Sequence, residues 1–363
     1  MPQIRSPAGI EFVPAPHRVF VSEYVCGGAW PHAALDSSLA VEGRAMLTTL
    51  ITDLLRITDV HVTTTWDARL QRPAAWDQDT KLEVSLVGSP EQEIDLFHEL
   101  SEQADSVLVI APEFDRLLAD RCRIVESQNG LRLRGCAWPA VERCTDKLNL
   151  ARQLTRAGIE TIPTAPFDAA NPEPAWSFPL VIKPRNGAGS QFTFRIDHGD
   201  TLTSGIAEIS ESAPATEFIQ QPFVSGIAAS AAAIFGPDGE VTDVFPIGRQ
   251  LLSDDGRFRY LGCDLPGPFS AVRREQIAAL LVRCHQEIPG LRGYVGFDLI
   301  IPEEEDCPPV LVEINPRLTT GYLAWRQLTP DNLADRILHP STQPREIRWH
   351  RRLVRFRRDD LTE

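Results

Sequence analysis

The chain has 363 residues, 43% hydrophobic and 24% charged, which is too long for one small core and sets an expectation of two or three domains. Its net charge of −14 argues against non-specific nucleic-acid binding, because neutralising phosphate needs a basic surface. No apolar run reaches the roughly 18 residues of a membrane span and no secretory h-region is visible. Seven scattered cysteines without a CxxC pair fit free thiols in a reducing, cytoplasmic compartment.

Residues 1–16, MPQIRSPAGIEFVPAP, hold four Pro and read as a loose leader. HRVFVSEYVCGG (17–28) reads as a first strand ending in a Gly turn, and a helix is expected through Leu39 to Leu55. DVHVTTTWD (59–67) is a second strand, residues 91–103 are helical, and SVLVIAPEF (106–114) is a third strand. Strands alternating with helices predict an α/β domain with a parallel sheet, over residues 17–140.

In TDKLNLARQLTRAG the spacing predicts a helix with Thr145 as N-cap and Gly158 as its stop. FPLVIKPRNGAGSQFTFRI is strand, Gly-rich turn, strand, and TEFIQQPFV is a further strand. IAASAAAIF and EVTDVFPI flank a GPDG turn and form a hairpin. Residues 271–288 form an amphipathic helix ending at Pro289 and Gly290, before the paired strands YVGFDLII and VLVEIN. The basic tail REIRWHRRLVRFRR reads as a surface helix or strand.

The last hairpin carries the first chemical signal. If Ile301 faces Val310, opposed positions sum to 611, so Asp298 faces Glu313 and Gly296 faces Asn315. Opposed side chains lie about 5 Å apart, and two like charges at that distance repel unless a cation sits between them. Asp298, Glu313 and Asn315 are oxygen donors, a chemistry that selects Mg²⁺ or Mn²⁺, and the diagonal to Asn315 can serve a second ion. Gly296 leaves open space above them. The competing reading has both acids in solvent on an amphipathic hairpin, and a slip of one residue undoes the pairing.

Lysine is rare here: Lys81, Lys147 and Lys183 stand among 33 Arg. Lys183 lies in an otherwise apolar strand just before NGAGS, whose small residues let backbone N–H groups approach a phosphate. Lys147 opens a helix, where a cation opposes the dipole, which favours a functional role; a solvated surface lysine is the plainer alternative. Neither GxxxxGK[ST] nor GxGxxG is present. Arg249 and Arg317 lie where strands end and can face phosphate or a developing oxyanion; a surface ion pair is the plainer alternative for each.

In order, DK (146–147), VIKP with its Gly turn, QQPFVSG, GFD and EINPR resemble the ATP-grasp superfamily over roughly residues 140–325. The resemblance implies an α/β (α+β) ATP-grasp fold: an N-terminal parallel α/β domain (17–140), a small lid lobe (141–224), a C-terminal antiparallel-sheet lobe (225–340) and a basic tail (341–363). It implies ATP held by Lys147 and Lys183, covered by Asn186, Gly187, Gly189 and Ser190, with Gln221 and Val224 at the adenine hinge and a metal on Asp298, Glu313 and Asn315. SEYVCGG, VLVIAPEFDRLL, GCAWPAVERCTDK, IGRQ and EINPRLTT are further similar to the family of tyramine–L-glutamate ligases of methanofuran biosynthesis. That implies small-molecule amino-acid and amine substrates, with Glu23 as an amino-acid-binding acid and Thr319 and Thr320 facing the acceptor pocket. One departure stands out: the family's ribose-binding Glu after the hinge Gly is replaced, since Ile227 and Ala228 follow Gly226. Glu217 is a substitute only under a different strand alignment.

The expected reaction is amide formation through an acyl phosphate, with Arg249 and Arg317 as catalytic cations. Two alternatives remain open: another amino-acid or dipeptide ligase, and a non-catalytic ATP-binding protein of the same fold. No nucleic-acid or membrane partner is expected; a homodimer is the default assembly. The tail is read either as an arm for an acidic partner or as a cover for the protein's own acidic body.

Overall fold

A computed structural model describes residues 15–31, 35, 37–237, 240–304, 306–340 and 346–361. The proposed leader, apart from its last two residues, the last two residues of the GPDG turn and the first residues of the tail lie outside this range.

The N-terminal region alternates strand and helix: β1 (His17–Glu23), α1 (Ser38–Leu54), β2 (Val60–Asp67), β3 (Leu82–Val87), α2 (Pro90–Gln103), β4 (Ser106–Ile110) and α3 (Leu117–Asn129). The four strands form a parallel sheet in the order β3-β2-β1-β4. Ser37 and Ser89 cap α1 and α2 by accepting the N–H groups of Ala40 and Gln92. The sequence reading passes over β3. It is an edge strand with half-buried side chains, so it lacks the continuous apolar run that marks β4. β4 itself stops at Ile110, short of the expected Phe114, because Pro112 follows.

Two helices, α4 (Trp138–Thr145) and α5 (Lys147–Arg156), lead to a second sheet. The cap of α5 is Asp146, whose side chain accepts the Asn149 N–H; Thr145, the expected cap, ends α4 instead. Gly158, with φ of +68°, takes the left-handed conformation that closes α5. The second sheet holds β5 (Ala165–Phe167), β6 (Leu180–Pro184), β7 (Phe194–Ile196) and β8 (Phe218–Pro222), in the order β5-β8-β6-β7, all antiparallel, with α6 (Gly199–Ser212) before β8. Phe167, Leu180, Ile182, Phe194, Ile209 and Phe218 give it a core of its own.

The third sheet contains β9 (Ile227–Phe235), β10 (Val241–Val244), β11 (Gly248–Leu252), β12 (Tyr260–Leu265), β13 (Gly293–Ile301), β14 (Val310–Asn315) and β15 (Val354–Arg357). Its order is β14-β13-β9-β11-β12-β15, with β10 beside β9. The chain also forms α7 (Ala271–Glu287), α8 (Tyr322–Trp325) and α9 (Leu333–Leu338). This sheet shares its cores with the N-terminal domain: Phe20, Phe97 and Val125 join Ile277, Leu281 and Phe297, while Leu47 and Leu50 join Tyr322, Trp325 and Phe356. The tail is therefore no free surface segment. β15 pairs with β12 and buries Val354 and Phe356, because its alternate side chains fall on the core face.

Candidate active site

A cleft of about 290 Å³ runs between the second and third sheets. One end is an apolar slot formed by Ile162, Val181, Val224, Leu299 and Val312, with Gln221 on β8 and Phe223 in the link that leads from it into the third sheet. Gln221 donates to Thr164 Oγ1 at 2.8 Å, which fixes its amide beside the slot. A flat heteroaromatic ring suits such a lining: apolar faces above and below, polar backbone at the rim.

The floor is charged. β13 and β14 place Asp298 opposite Glu313 and Gly296 opposite Asn315. The ladder nevertheless differs from the regular one expected. At the loop end Ile300, not Ile301, faces Val310, and a β-bulge at Val312 shifts the register before Glu313. Were the ladder to run on regularly from Ile300 and Val310, Asp298 would face Val312 and Glu313 would face Phe297, on the other side of the sheet. The bulge thus brings the two acids onto one face. Gly296 does not leave free space as expected: a side chain there would run into Thr319, which packs over it.

Two lysines arrive from the other lobe's edge. Lys147, 8% exposed at the start of α5, lies 3.2 Å from Glu313 Oε1 and donates to the Gly187 carbonyl at 2.8 Å. Lys183 is 7% exposed on β6. Burial pushes its ammonium down to about 8, the Lys147 charge adds to the fall, and Glu313 and Asp298 resist it. Burial also pushes Asp298 up to about 6, with the facing Glu313 adding to the rise. Its direct partners are neutral amides, Gln250 Nε2 at 2.6 Å and Asn315 Nδ2 at 2.8 Å. For Glu313 burial works the same way, but Lys147 and Lys183 outweigh it and hold the carboxyl below its ordinary range.

Asp298 therefore carries a charge disfavoured by its surroundings, held directly by two amides and helped at longer range by Arg317. A divalent cation on Asp298, Glu313 and Asn315, with Asn315 turned to present its oxygen, fits this donor set. Among the described residues no cluster of three or more His, Cys, Asp or Glu offers another metal site.

Gly187, Gly189 and Ser190 line the cleft in the turn after β6, and Ser190 Oγ donates to the Phe258 carbonyl at 2.9 Å. Gly189 has φ of +67° and open space around it, so its backbone is presented without a side chain. Asn186 is not part of the lining; its amide packs against the carbonyls of Arg185 and Thr145. Arg317 lines the cleft beside Thr319 and Thr320, with Nε 2.8 Å from Glu113 Oε1. Burial opposes its charge, but Glu113 outweighs that and raises its pKa.

Three expectations are corrected by geometry. Arg249 lies on β11, where alternation turns it away from the cleft to pair with Asp264 at 2.6 Å; its neighbour Gln250 is the residue that points in. Glu23 is 2% exposed and does not reach the cleft. Its carboxylate accepts the Cys26 N–H and sits against Gly43 of α1, and burial pushes it up to about 7. Glu217 is 70% exposed and pairs with Arg185, so it offers nothing to a ribose.

Three residues went unread in the sequence: Glu42 of α1, which lines the cleft, Glu113, which holds Arg317, and Gln250. Each is an ordinary polar residue on an ordinary element, and only the approach of distant segments gives it a role.

Comparison with known proteins follows this division of the chain. Residues 60–141 match the pre-ATP-grasp 3 domain family and residues 144–321 the ATP-grasp domain family. The chain is 26% identical over 310 residues to tyramine–L-glutamate ligase of Methanocaldococcus fervens, covering 84% of this chain and 88% of the relative. Among solved structures it resembles an ATP-grasp superfamily protein from Archaeoglobus fulgidus, with a TM-score of 0.66 and 24% identity over 92% of this chain and 90% of that one. It also resembles L-amino acid ligase from Bacillus licheniformis, with a TM-score of 0.67 and 18% identity over 92% of this chain and 76% of that one.

Proposed function

This chain belongs to the ATP-grasp superfamily, and from that premise we propose that it is an ADP-forming carboxylate–amine ligase joining glutamate to tyramine or a related amine in methanofuran-type cofactor biosynthesis. The observation that carries the proposal is the convergence of Lys147, Lys183 and Arg317 with the opposed pair Asp298 and Glu313 on the floor of one cleft. The relative from Methanocaldococcus fervens supports the choice of substrates.

In the first step a glutamate carboxylate oxygen attacks the γ-phosphorus of ATP. The bond to the β,γ-bridging oxygen breaks and ADP leaves. In the second step the neutral amine attacks the acyl carbon, the bond from that carbon to the phosphate oxygen breaks, and the nitrogen loses a proton as the amide forms. Phosphoryl transfer of this kind needs positioning and charge neutralisation. The apolar slot holds the adenine, and Lys147 and Lys183 meet the phosphates under the Gly187–Ser190 turn. Asp298, Glu313 and Asn315 would hold Mg²⁺ or Mn²⁺, which supplies neutralisation of phosphate oxygens. Arg317, aimed by Glu113, takes up charge at the transferring group, and Thr319 borders the acceptor, while Thr320 donates to Glu42. Arg249 is left out, since it faces Asp264. Seven free cysteines, six of them buried, suit a cytoplasmic setting, and no described helix is long and apolar enough to cross a membrane.

The test is an ADP-release assay over pairs of acids and amines, with amide product followed by mass. Turnover is expected to require both glutamate and an aromatic amine. Full activity without glutamate rejects the pairing, and activity with an amino-acid acceptor in place of the amine points to a dipeptide ligase.

A further inference from the structure

Among the described residues three carboxylates line the cleft. Asp298 and Glu313 face each other beneath the lysines; Glu42 stands apart on α1. Its Oε2 accepts from Thr320 Oγ1 at 3.1 Å and its Oε1 from Ser38 Oγ at 2.9 Å. The Arg358 Nε lies 3.5 Å from Oε1. Arg358 follows directly on β15, and the β12 ladder fixes that strand, with Gly262 opposite Arg357 and Arg357 paired to Asp264 at 3.0 Å. Arg358, at the end of β15, therefore reaches a side chain of the cleft.

We infer that Glu42 receives the ammonium group of the amino acid whose carboxylate is phosphorylated, and that Arg358 of the tail is the positioning residue that aims it. The inference rests on the ligase reading above. The reacting carboxylate belongs among cations, near Lys183 and Arg317. An α-ammonium carried into the same cleft is repelled by those cations and needs an anion of its own. Glu313 is engaged with Lys147 and Asp298 with the amides of Gln250 and Asn315, Glu113 is engaged with Arg317, and Glu23 is sealed beneath α1. Glu42 remains among the carboxylates that line the cleft: two hydroxyls donate to it, and Arg358 lies 3.5 Å away. The attacking amine does not fit this role: a carboxylate that holds it as ammonium opposes the loss of the proton that makes it a nucleophile. The donor's ammonium takes no part in the reaction and can stay charged.

The experiment crosses the two charges. Steady-state rates are measured for wild type and Glu42→Gln with glutamate and with glutarate, which lacks the ammonium, at a fixed amine. Wild type is expected to prefer glutamate by about 10- to 100-fold in kcat/KM, the range for a charged hydrogen bond. Glu42→Gln is expected to shrink that gap to about 3-fold by raising KM for glutamate, with KM for ATP within about 2-fold. Glu42→Asp keeps the charge and part of the preference. Arg358→Ala raises KM for glutamate with kcat little changed, and Arg358→Lys restores part of it. An unchanged preference in Glu42→Gln, or its full loss in Glu42→Asp, overturns the inference. If wild type forms no ADP with glutamate, the substrate reading fails, and calorimetric binding of L-alanine against propionate and L-aspartate against succinate decides this one. A preference for the amino acid that Glu42→Gln erases supports it; no preference in any wild-type pair overturns it.

Discussion

Asp298 shows what a site residue costs its own protein. Its folded pKa of about 6 lies above the unfolded value near 3.8, so between those values the folded state holds more protons. Stability of the metal-free protein therefore falls as pH rises from about 4 to about 6 and stays lower above that. Asp298→Asn is expected to raise Tm of the metal-free protein at pH 8 by a few degrees and to leave it nearly unchanged at pH 4, in a pair of thermal scans. The same substitution is expected to cut metal-dependent ADP formation by roughly 100-fold or more, because the donor set loses a charge. An unchanged rate removes Asp298 from the proposed metal set. Glu23 gives the contrast: Glu23→Gln keeps an oxygen for the Cys26 N–H, so KM for glutamate is expected to stay within about 2-fold of wild type.

Elements decide which neighbour counts. Arg249 and Gln250 are adjacent in sequence, yet strand alternation sends one to Asp264 and the other to Asp298. Arg249→Ala is expected to leave kcat/KM within about 3-fold of wild type, while Gln250→Ala, which frees the Asp298 carboxylate to swing, lowers it about 10-fold or more. Reversed magnitudes would restore Arg249 to the chemistry. The bulge at Val312 works the same way on β14, since one extra residue sets the face on which Glu313 emerges.

At the scale of the molecule, the third sheet and the N-terminal domain share two cores, whereas the second sheet has one of its own. The cleft proposed to hold the nucleotide lies along the line where the separately packed piece meets the rest. ATP with Mg²⁺ is expected to slow amide hydrogen exchange in residues 183–196 and 250–260, whose turns touch through Ser190 and Phe258, and to leave the β1–β2 region unaffected. The tail belongs to the shared core. Phe356 is 4% exposed, so Phe356→Ala is expected to cost about 3 kcal/mol in urea unfolding. A chain ending before Arg345 that unfolds at the wild-type midpoint would show that β15 adds nothing.

Sequence by itself determined the order of the pieces. Alternating and continuous apolar runs marked β1, β2, β4, β6, β8, β9, β13 and β14, because burial on one or both faces is written in side-chain period. The scarcity of lysine singled out Lys147 and Lys183, and a hairpin brings its own strands together, so β13 and β14 were legible as partners; Asp298 does face Glu313 as expected, but through a bulge that the regular register did not contain. Tertiary structure decided the rest. Glu42, Glu113 and Gln250 look like any solvated polar residue until α1, the segment between β4 and α3, and β11 are folded against β13 and β14. The edge strand β3 and the tail strand β15 carry weak local patterns and exist through their neighbours' hydrogen bonds. Side-chain direction on β11, the burial of Glu23 under Gly43 and the bulge at Val312 depend on packing between segments far apart in the chain, and no local period encodes that.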